Sequence, residues 1–205
     1  MRRIIVNNII SLDGFYSDAS GSPLGLSMDA AFDQANLETI EAADIVLLGR
    51  DSFDGFSAYW PHVADAPPPE DPSAPEARAV NEVNRAISRR YNELPKVVVS
   101  DRGGVGDDNP WASSSEVVGR ADIADWWTDT ANDGEGDVAV FGSHIMWNGL
   151  LAIGLVDELH LMISPVLLGT GVPAFREPAQ LELIEARRFD DSDNVQLRYR
   201  NPARQ

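Results

Sequence analysis

The stretch VAVFGSHIMWNGLL, residues 138–151, decides how the chain is read, because four apolar residues run into a Gly-Ser pair and then into a helical pattern. A buried strand that passes through small residues into a helix turns unpaired backbone N–H groups and the positive end of the helix dipole toward one point. Such a junction suits an anion, phosphate first among them. It equally suits a tight strand-to-helix turn with little room for side chains. The choice between the two depends on what the chain brings to its other strand ends.

Outward from that stretch, strands and helices alternate. Residues 1–10 read as a buried strand closed by turn chemistry at Asp13-Gly14, and a Gly- and Ser-rich loop follows to Ser27. Residues 28–43 carry a helical pattern with Phe32, Ala35, Ile40 and Ala43 on one face, and residues 45–48 form a short apolar strand ended by Gly49. Residues 62–75, centred on PPPEDPSAP, read as a surface loop inside the domain. A helix over 76–92, a strand over 96–100, a loop over 101–115 and a helix over 121–130 precede the opening stretch. After the helix at 144–152 come a strand over 156–163 and the turn-rich PVLLGTGVP. Two longer strands, 181–189 and 195–200, are then joined by DDSDN as a hairpin. This order predicts an α/β fold: a mostly parallel sheet flanked by helices on both faces, with a C-terminal antiparallel hairpin, in one domain over 1–205.

Composition narrows the chemistry. The chain has 205 residues, 43% of them hydrophobic, and no cysteine, so disulfides, thiolate nucleophiles and Cys-ligated zinc are excluded. No apolar run has the length of a membrane span, and MRRIIVNNIISLDGF breaks before a signal-peptide core forms; a cytoplasmic protein without a membrane partner is expected. A net charge of −17 argues against nucleic acid as a partner. The best basic cluster, Arg85, Arg89 and Arg90, reads as a solvated face or a partner for nearby carboxylates.

In parallel sheets ligands sit beyond the carboxyl ends of the strands, which selects Gly49, Ser100 and Gly142 as rim positions. Gly49 admits close backbone approach, Arg50 supplies a forked cation, Ser52 a hydroxyl at a helix start, and Ser100 with Arg102 repeats the arrangement. The third strand end offers the N–H groups of Ser143, His144 and Ile145. Two arginines and a helix N-terminus suit a ligand with phosphates at more than one place, such as a dinucleotide, yet neither GxGxxG after the first strand nor GxxxxGK[ST] is present. His62, His144 and His160 lack metal spacing, so no metal is expected, and His160 reads as a half-buried structural imidazole. Asp29 and Asp33 share a helix face, as acid-base candidates or as a solvated surface. Asp13 serves an Asx turn or a substrate. Asn8, opposite in direction to Asn7, is placed to reach a ligand, and Trp60 with Tyr59 stacks on a planar ligand or packs in the core.

The succession SLDG, LLGRDSFDGFSAYWP, LPKVVVS and VFGSHIMWNGLLAIGLVDELHLMISPVLLGTGVPAF resembles the dihydrofolate-reductase-like superfamily. Within it, the likeness is closest to the reductase domain of the bifunctional riboflavin-biosynthesis deaminase-reductase and its stand-alone relatives. The resemblance implies a mixed sheet flanked by helices and NADPH bound across the strand ends, with NADH as the other nicotinamide cofactor. It puts Gly49, Arg50 and Ser52 at the cofactor phosphates, Ser100 near the adenosine 2′-phosphate, and Gly142 with Ser143, His144 and Ile145 at the pyrophosphate. It also puts Asp33 near a substrate-binding carboxylate. Asp101, beside Ser100, is expected to repel a 2′-phosphate unless Arg102 or Arg50 offsets it. No element resembles the zinc-binding deaminase half. The expectation is an NADPH-dependent reductase delivering hydride to a C=N or C=O of a small heterocycle, pterin- or pyrimidine-like, in a homodimer. The alternatives are a nucleotide-binding protein of this fold without turnover and an interaction module.

Overall fold

A first strand of mostly apolar sequence needs cover on both faces. The computed structural model describes residues 1–71 and 75–204, so positions 72–74 of the Pro-rich segment lie outside the described residues. The strands are β1 (Ile4–Ser11), β2 (Phe15–Ser17), β3 (Ala43–Gly49), β4 (Lys96–Val99), β5 (Ser115–Val118), β6 (Asp137–Phe141), β7 (Glu158–Ser164), β8 (Val172–Pro173), β9 (Glu182–Phe189) and β10 (Ser192–Arg200). The helices are α1 (Ala30–Glu41), α2 (Arg50–Val63), α3 (Glu82–Glu93), α4 (Ile123–Thr130) and α5 (His144–Ala152). An eight-stranded, mostly parallel sheet has the order β5-β4-β3-β6-β1-β7-β10-β9, with antiparallel pairing at β10, and β2 pairs with β8 in a small antiparallel sheet. The chain divides into two compact units, Met1–Arg2 with Asp33–Ala139, and Arg3–Phe32 with Val140–Gln205.

In the first unit β3, β4 and β5 run parallel, with Val46, Leu47, Leu48, Val97 and Val98 almost fully buried. Beside them Trp60, Tyr91 and Trp111 form a run of rings 5.3 and 5.7 Å apart. Lys96, the only lysine, is buried under that run. Its Nζ lies 4.6 Å from the centre of the Trp111 ring and donates to Ser114 Oγ at 3.0 Å, and burial lowers its pKa to about 8. Trp60 is half-buried and packs against Tyr91.

The expected helix over 76–92 is interrupted. A 3-10 turn over Pro75–Val80 precedes α3, which begins where the Asn81 side chain accepts from Asn84 N at 2.8 Å. A capping asparagine satisfies the first-turn N–H groups only with an extended backbone, so it ends one element and starts another. Helix α2 takes in residues 50–63, including Pro61 and His62, so the Pro-rich excursion starts later than its composition suggests. The C-terminal carbonyls of α2 are met by Arg85, which donates to Ala64 O at 2.7 Å and Ala66 O at 2.7 Å; this arginine is a backbone partner rather than a solvated one.

In the second unit all eight residues of β1 are buried, as befits a strand covered on both faces. Its entry is fixed beside β7 by paired bonds, Ile4 N to Asp157 Oδ2 at 2.8 Å and Asp157 N to Ile4 O at 3.0 Å. His160 on β7 is bound to Glu158 at 2.9 Å in the half-buried structural role expected of it. Strands β2 and β8 fall in segments that read as loops. They are too short to show a period, and Gly171 allows their approach, since a Cβ there would meet Ser17 O at 2.1 Å.

Asp33 is buried in α1 of the first unit, where the Arg78 fork meets it at 2.7 and 2.5 Å and Asn84 Nδ2 adds a bond at 2.9 Å. Replacing Arg78 with Met strands a buried carboxylate, and equilibrium urea unfolding is expected to show a loss of about 2 kcal/mol, less than for a fully enclosed pair. A loss below a few tenths would mean that the pair does no structural work.

Candidate functional site

Parallel pairing sets Gly49 opposite Val99, so the ends of β3 and β4 in the first unit, Gly49 and Ser100, are neighbours as expected. Gly49 caps α2 with an extended backbone (φ −74°, ψ 155°) and no side-chain hydrogen bond, and Arg50 and Ser52 lie in its first turn. Ser100 is buried and closes a tight turn, its Oγ accepting from Arg102 N at 3.0 Å and donating to Arg102 O at 3.1 Å.

The two arginines differ. Arg50 is largely enclosed: its Nη2 donates to the carbonyls of Arg102 (3.1 Å), Gly103 (2.8 Å) and Gly104 (3.4 Å), and its Nη1 lies 3.6 Å from Asp54. Its Nη2 is thus turned to the loop, while its Nε makes no hydrogen bond among the described residues. Arg102 is exposed and pairs with exposed Asp51 in the first turn of α2. Asp101 turns elsewhere, accepting from Arg120 N at 2.9 Å with the Arg120 guanidinium 3.6 Å away. Its charge is offset by Arg120 rather than by Arg50 or Arg102. Asp51 and Arg120 escaped the sequence reading; Asp51 had a signal, an acid one residue into a helix that starts at a strand end.

In the second unit β6 runs into Gly142 and Ser143, both at φ 56°, and then directly into α5. Glycine takes this conformation freely, whereas serine is strained in it. Asn8 on β1 donates to Gly142 O at 3.1 Å and so holds the turn from beneath. The Ser143 side chain makes no capping hydrogen bond to α5, whose first turn closes with Trp147 N to Ser143 O. The N–H groups of His144, Ile145 and Met146 precede that bond, at the positive end of the dipole. The His144 ring is fixed: it stacks on Tyr16 at 4.8 Å and its Nε2 lies 3.2 Å from Ala174 O. Burial lowers the His144 pKa, and burial raises that of Tyr16 to about 12.

The remaining candidates serve the backbone. Asp13 accepts from Ser11 Oγ (2.6 Å), Leu168 N (3.1 Å) and Gly169 N (2.7 Å), which tie the SLDG turn to the turn after β7 and lower its pKa, the Ser11 bond most of all. Asn8, which is buried, and Asp13, which is exposed, thus each hold a turn, and Asp33 is the clamped carboxylate described above. Asp29 accepts from Ala31 N and Phe32 N at the start of α1 and from Ser192 Oγ. Among the described residues no three His, Cys, Asp or Glu side chains cluster as metal ligands, and no helix is long and apolar enough to cross a membrane.

The sequence model of the RibD C-terminal domain matches residues 2–197. The chain belongs to that family. It is 28% identical over 204 residues to the uncharacterized protein YyaP of Bacillus subtilis, covering 97% of this chain and 94% of that one. Among solved structures, a putative riboflavin biosynthesis protein from Shewanella is similar with a TM-score of 0.65 at 21% identity, over 97% of this chain and 98% of that one. RibD of Acinetobacter baumannii is similar with a TM-score of 0.64 at 18% identity, and there the chain spans 58% of the larger protein. These likenesses establish the mixed-sheet fold that the motifs implied.

The RibD C-terminal domain family holds its α5 turn with serine at 143 in this member, and Ser143→Gly is expected to raise stability by about 0.5–1 kcal/mol in denaturant unfolding, by removing the left-handed strain. A fall in stability would show that the serine side chain outweighs the strain. His144 has a folded pKa below its unfolded value, so its contribution is present above pH ~6.5 and is lost as pH falls through that range. An NMR titration is expected to place its midpoint below that of a free histidine, and a midpoint above it would contradict the enclosed ring.

Proposed function

We propose that this RibD C-terminal domain protein is an NADPH-dependent reductase that transfers hydride to a C=N or C=O of a small heterocycle, pyrimidine- or pterin-like. The observation that carries the reading is the left-handed Gly142-Ser143 turn opening α5 and held by Asn8. Backbone N–H groups at a helix start and the helix dipole match a pyrophosphate in charge and donor type. A side chain larger than serine at 143 would crowd that approach. Family membership supports a pyrimidine reductase-like activity. A pyrimidine reductase-like protein of Corynebacterium diphtheriae shares the fold with a TM-score of 0.59 at 12% identity.

The residues fit the cofactor by donor chemistry. Residues 142–145 would hold the pyrophosphate, with Ser143, His144 and Ile145 donating through their backbone. Gly49 and Ser52 would lie at the phosphates near the start of α2, and Ser100 with Arg102 would meet the adenosine end. NADPH supplies a hydride when bound; the chain's task is to hold and orient it and the acceptor. The clamped setting of Asp33, both oxygens bonded, leaves solvent water to deliver the proton that completes the reduction.

Titration of the purified protein with NADPH and NADH tests the reading directly. Quenching or enhancement of nicotinamide fluorescence is expected with at least one of them, followed by loss of absorbance when aminopyrimidine or dihydropterin candidates are added. No binding of either at millimolar concentration would overturn the proposal. Binding without oxidation by any candidate would favour a nucleotide-binding protein without turnover.

A further inference from the structure

We propose that the Asp33 carboxylate is a binding site for a planar N–H fork, the amidine edge of a guanidine or of an amino-substituted heterocycle, and that Arg78 occupies it as an intrachain latch. The inference goes beyond the reductase reading. It needs no nicotinamide cofactor, and its test is a binding test that stands or falls by itself.

The assignment follows from how unevenly the pair is enclosed. The Asp33 side chain is 5% exposed, whereas that of Arg78 is 38% exposed. One guanidinium edge meets both carboxylate oxygens, Nε donating to Oδ2 at 2.7 Å and Nη2 to Oδ1 at 2.5 Å, the two parallel bonds of a fork. Asn84 Nδ2 donates to Asp33 Oδ2 at 2.9 Å and to Arg78 O at 2.9 Å, so it steadies the carboxylate and the backbone of the latch alike. The acceptor is thus enclosed in the 12-residue helix α1, while the donor reaches it from the 3-10 turn Pro75–Val80. A single 3-10 turn, with its poorer hydrogen-bond geometry, opens more easily than a helix of three turns.

What replaces Arg78 must bring the same donors, because a buried carboxylate left without them is strongly destabilising. An ammonium supplies the charge without the fork. A free guanidine or amidine supplies both, and an amino-substituted pyrimidine presents an amino N–H and a ring N–H side by side in one plane. Tyr59 stands near enough to report the exchange. It is 45% exposed, and its pKa is raised first by burial and then by the Asp33 charge, while the Arg78 charge lowers it. Withdrawal of the Arg78 cation therefore moves the Tyr59 titration upward, and a guanidinium seated in its place moves it back.

The experiment compares the full chain with Arg78→Lys, which keeps the charge and loses the fork, and Arg78→Ala, which loses both. Thermal unfolding and calorimetry are followed with ethylguanidinium, ethylammonium and 2-amino-4-hydroxypyrimidine at millimolar concentration and constant ionic strength. Arg78→Ala is expected to melt about 4–8 °C below the unmodified chain, with at least half of that loss recovered by ethylguanidinium and little of it by ethylammonium. The ultraviolet titration of Tyr59, assigned through Tyr59→Phe, is expected to rise in Arg78→Ala and to return with ethylguanidinium. Both variants are expected to bind the pyrimidine about tenfold or more tightly than the unmodified chain, in which the latch competes for the carboxylate. Adding Asp33→Asn to Arg78→Lys is expected to abolish binding of both fork-bearing probes. Binding of ethylguanidinium alone assigns the site to cationic amidines, and binding of the pyrimidine alone assigns it to amino-substituted heterocycles; either upholds the fork. Equal recovery by ethylammonium, equal affinity of the unmodified chain and Arg78→Lys, or binding of neither probe by the variants overturns the inference. Arg78→Lys carries the same comparison should Arg78→Ala not fold, and failure to bind NADPH or NADH leaves it untouched.

Discussion

The interaction on which the first unit depends is a guanidinium group given to backbone carbonyls. Arg2 donates to Asp133 O and Gly136 O, Arg50 to residues 102–104, Arg85 to the end of α2, and Arg90 to Ala43 O. Most of these carbonyls lie in the turns and loops between helices and strands, where the regular ladder supplies no donor. A planar fork with five N–H groups serves several such acceptors at once, and it is less strongly hydrated than an ammonium. In a chain with 16 basic residues and a single lysine, arginine has become the means by which element ends are closed.

The second unit solves the same problem with neutral and acidic side chains. Asn8 takes the carbonyl of Gly142, Asp13 takes two N–H groups of the turn after β7, and Asp157 takes Ile4 N. The polar residues at these strand ends are thus committed to the main chain, while the first N–H groups of α5 precede its first intrahelical bond. A turn held rigidly from beneath presents those donors without reorganisation, the condition under which fixed dipoles act best on a bound anion.

The order of strands and helices was legible because short β-branched runs alternate with helical patterns, and α5 was read with its observed bounds. Strand β5, SEVV, was missed because four residues after a Ser run show no period, and the break at Asn81 was missed because helical spacing continues across it. The strand-end principle located Gly49, Ser100 and Gly142 without any fingerprint motif. The roles of Arg50, Asn8, Asp13 and Asp33 were beyond reach for a common reason. A side chain that can bind a ligand can equally bind a carbonyl or an N–H group distant in sequence, and only the fold says which is near.

Lys96 carries a consequence for handling the protein. The chain's one ε-amino group is enclosed under the Trp111 ring and bonded to Ser114, so reagents that acylate amines meet no lysine on the surface of the described residues. Succinimidyl esters and lysine-directed cross-linkers would leave the strand ends of the first unit at Gly49 and Arg102 untouched. Guanidinium-directed dicarbonyls would instead find Arg102 in the open and Arg50 sheltered, so that the two arginines are distinguishable by their chemical reactivity.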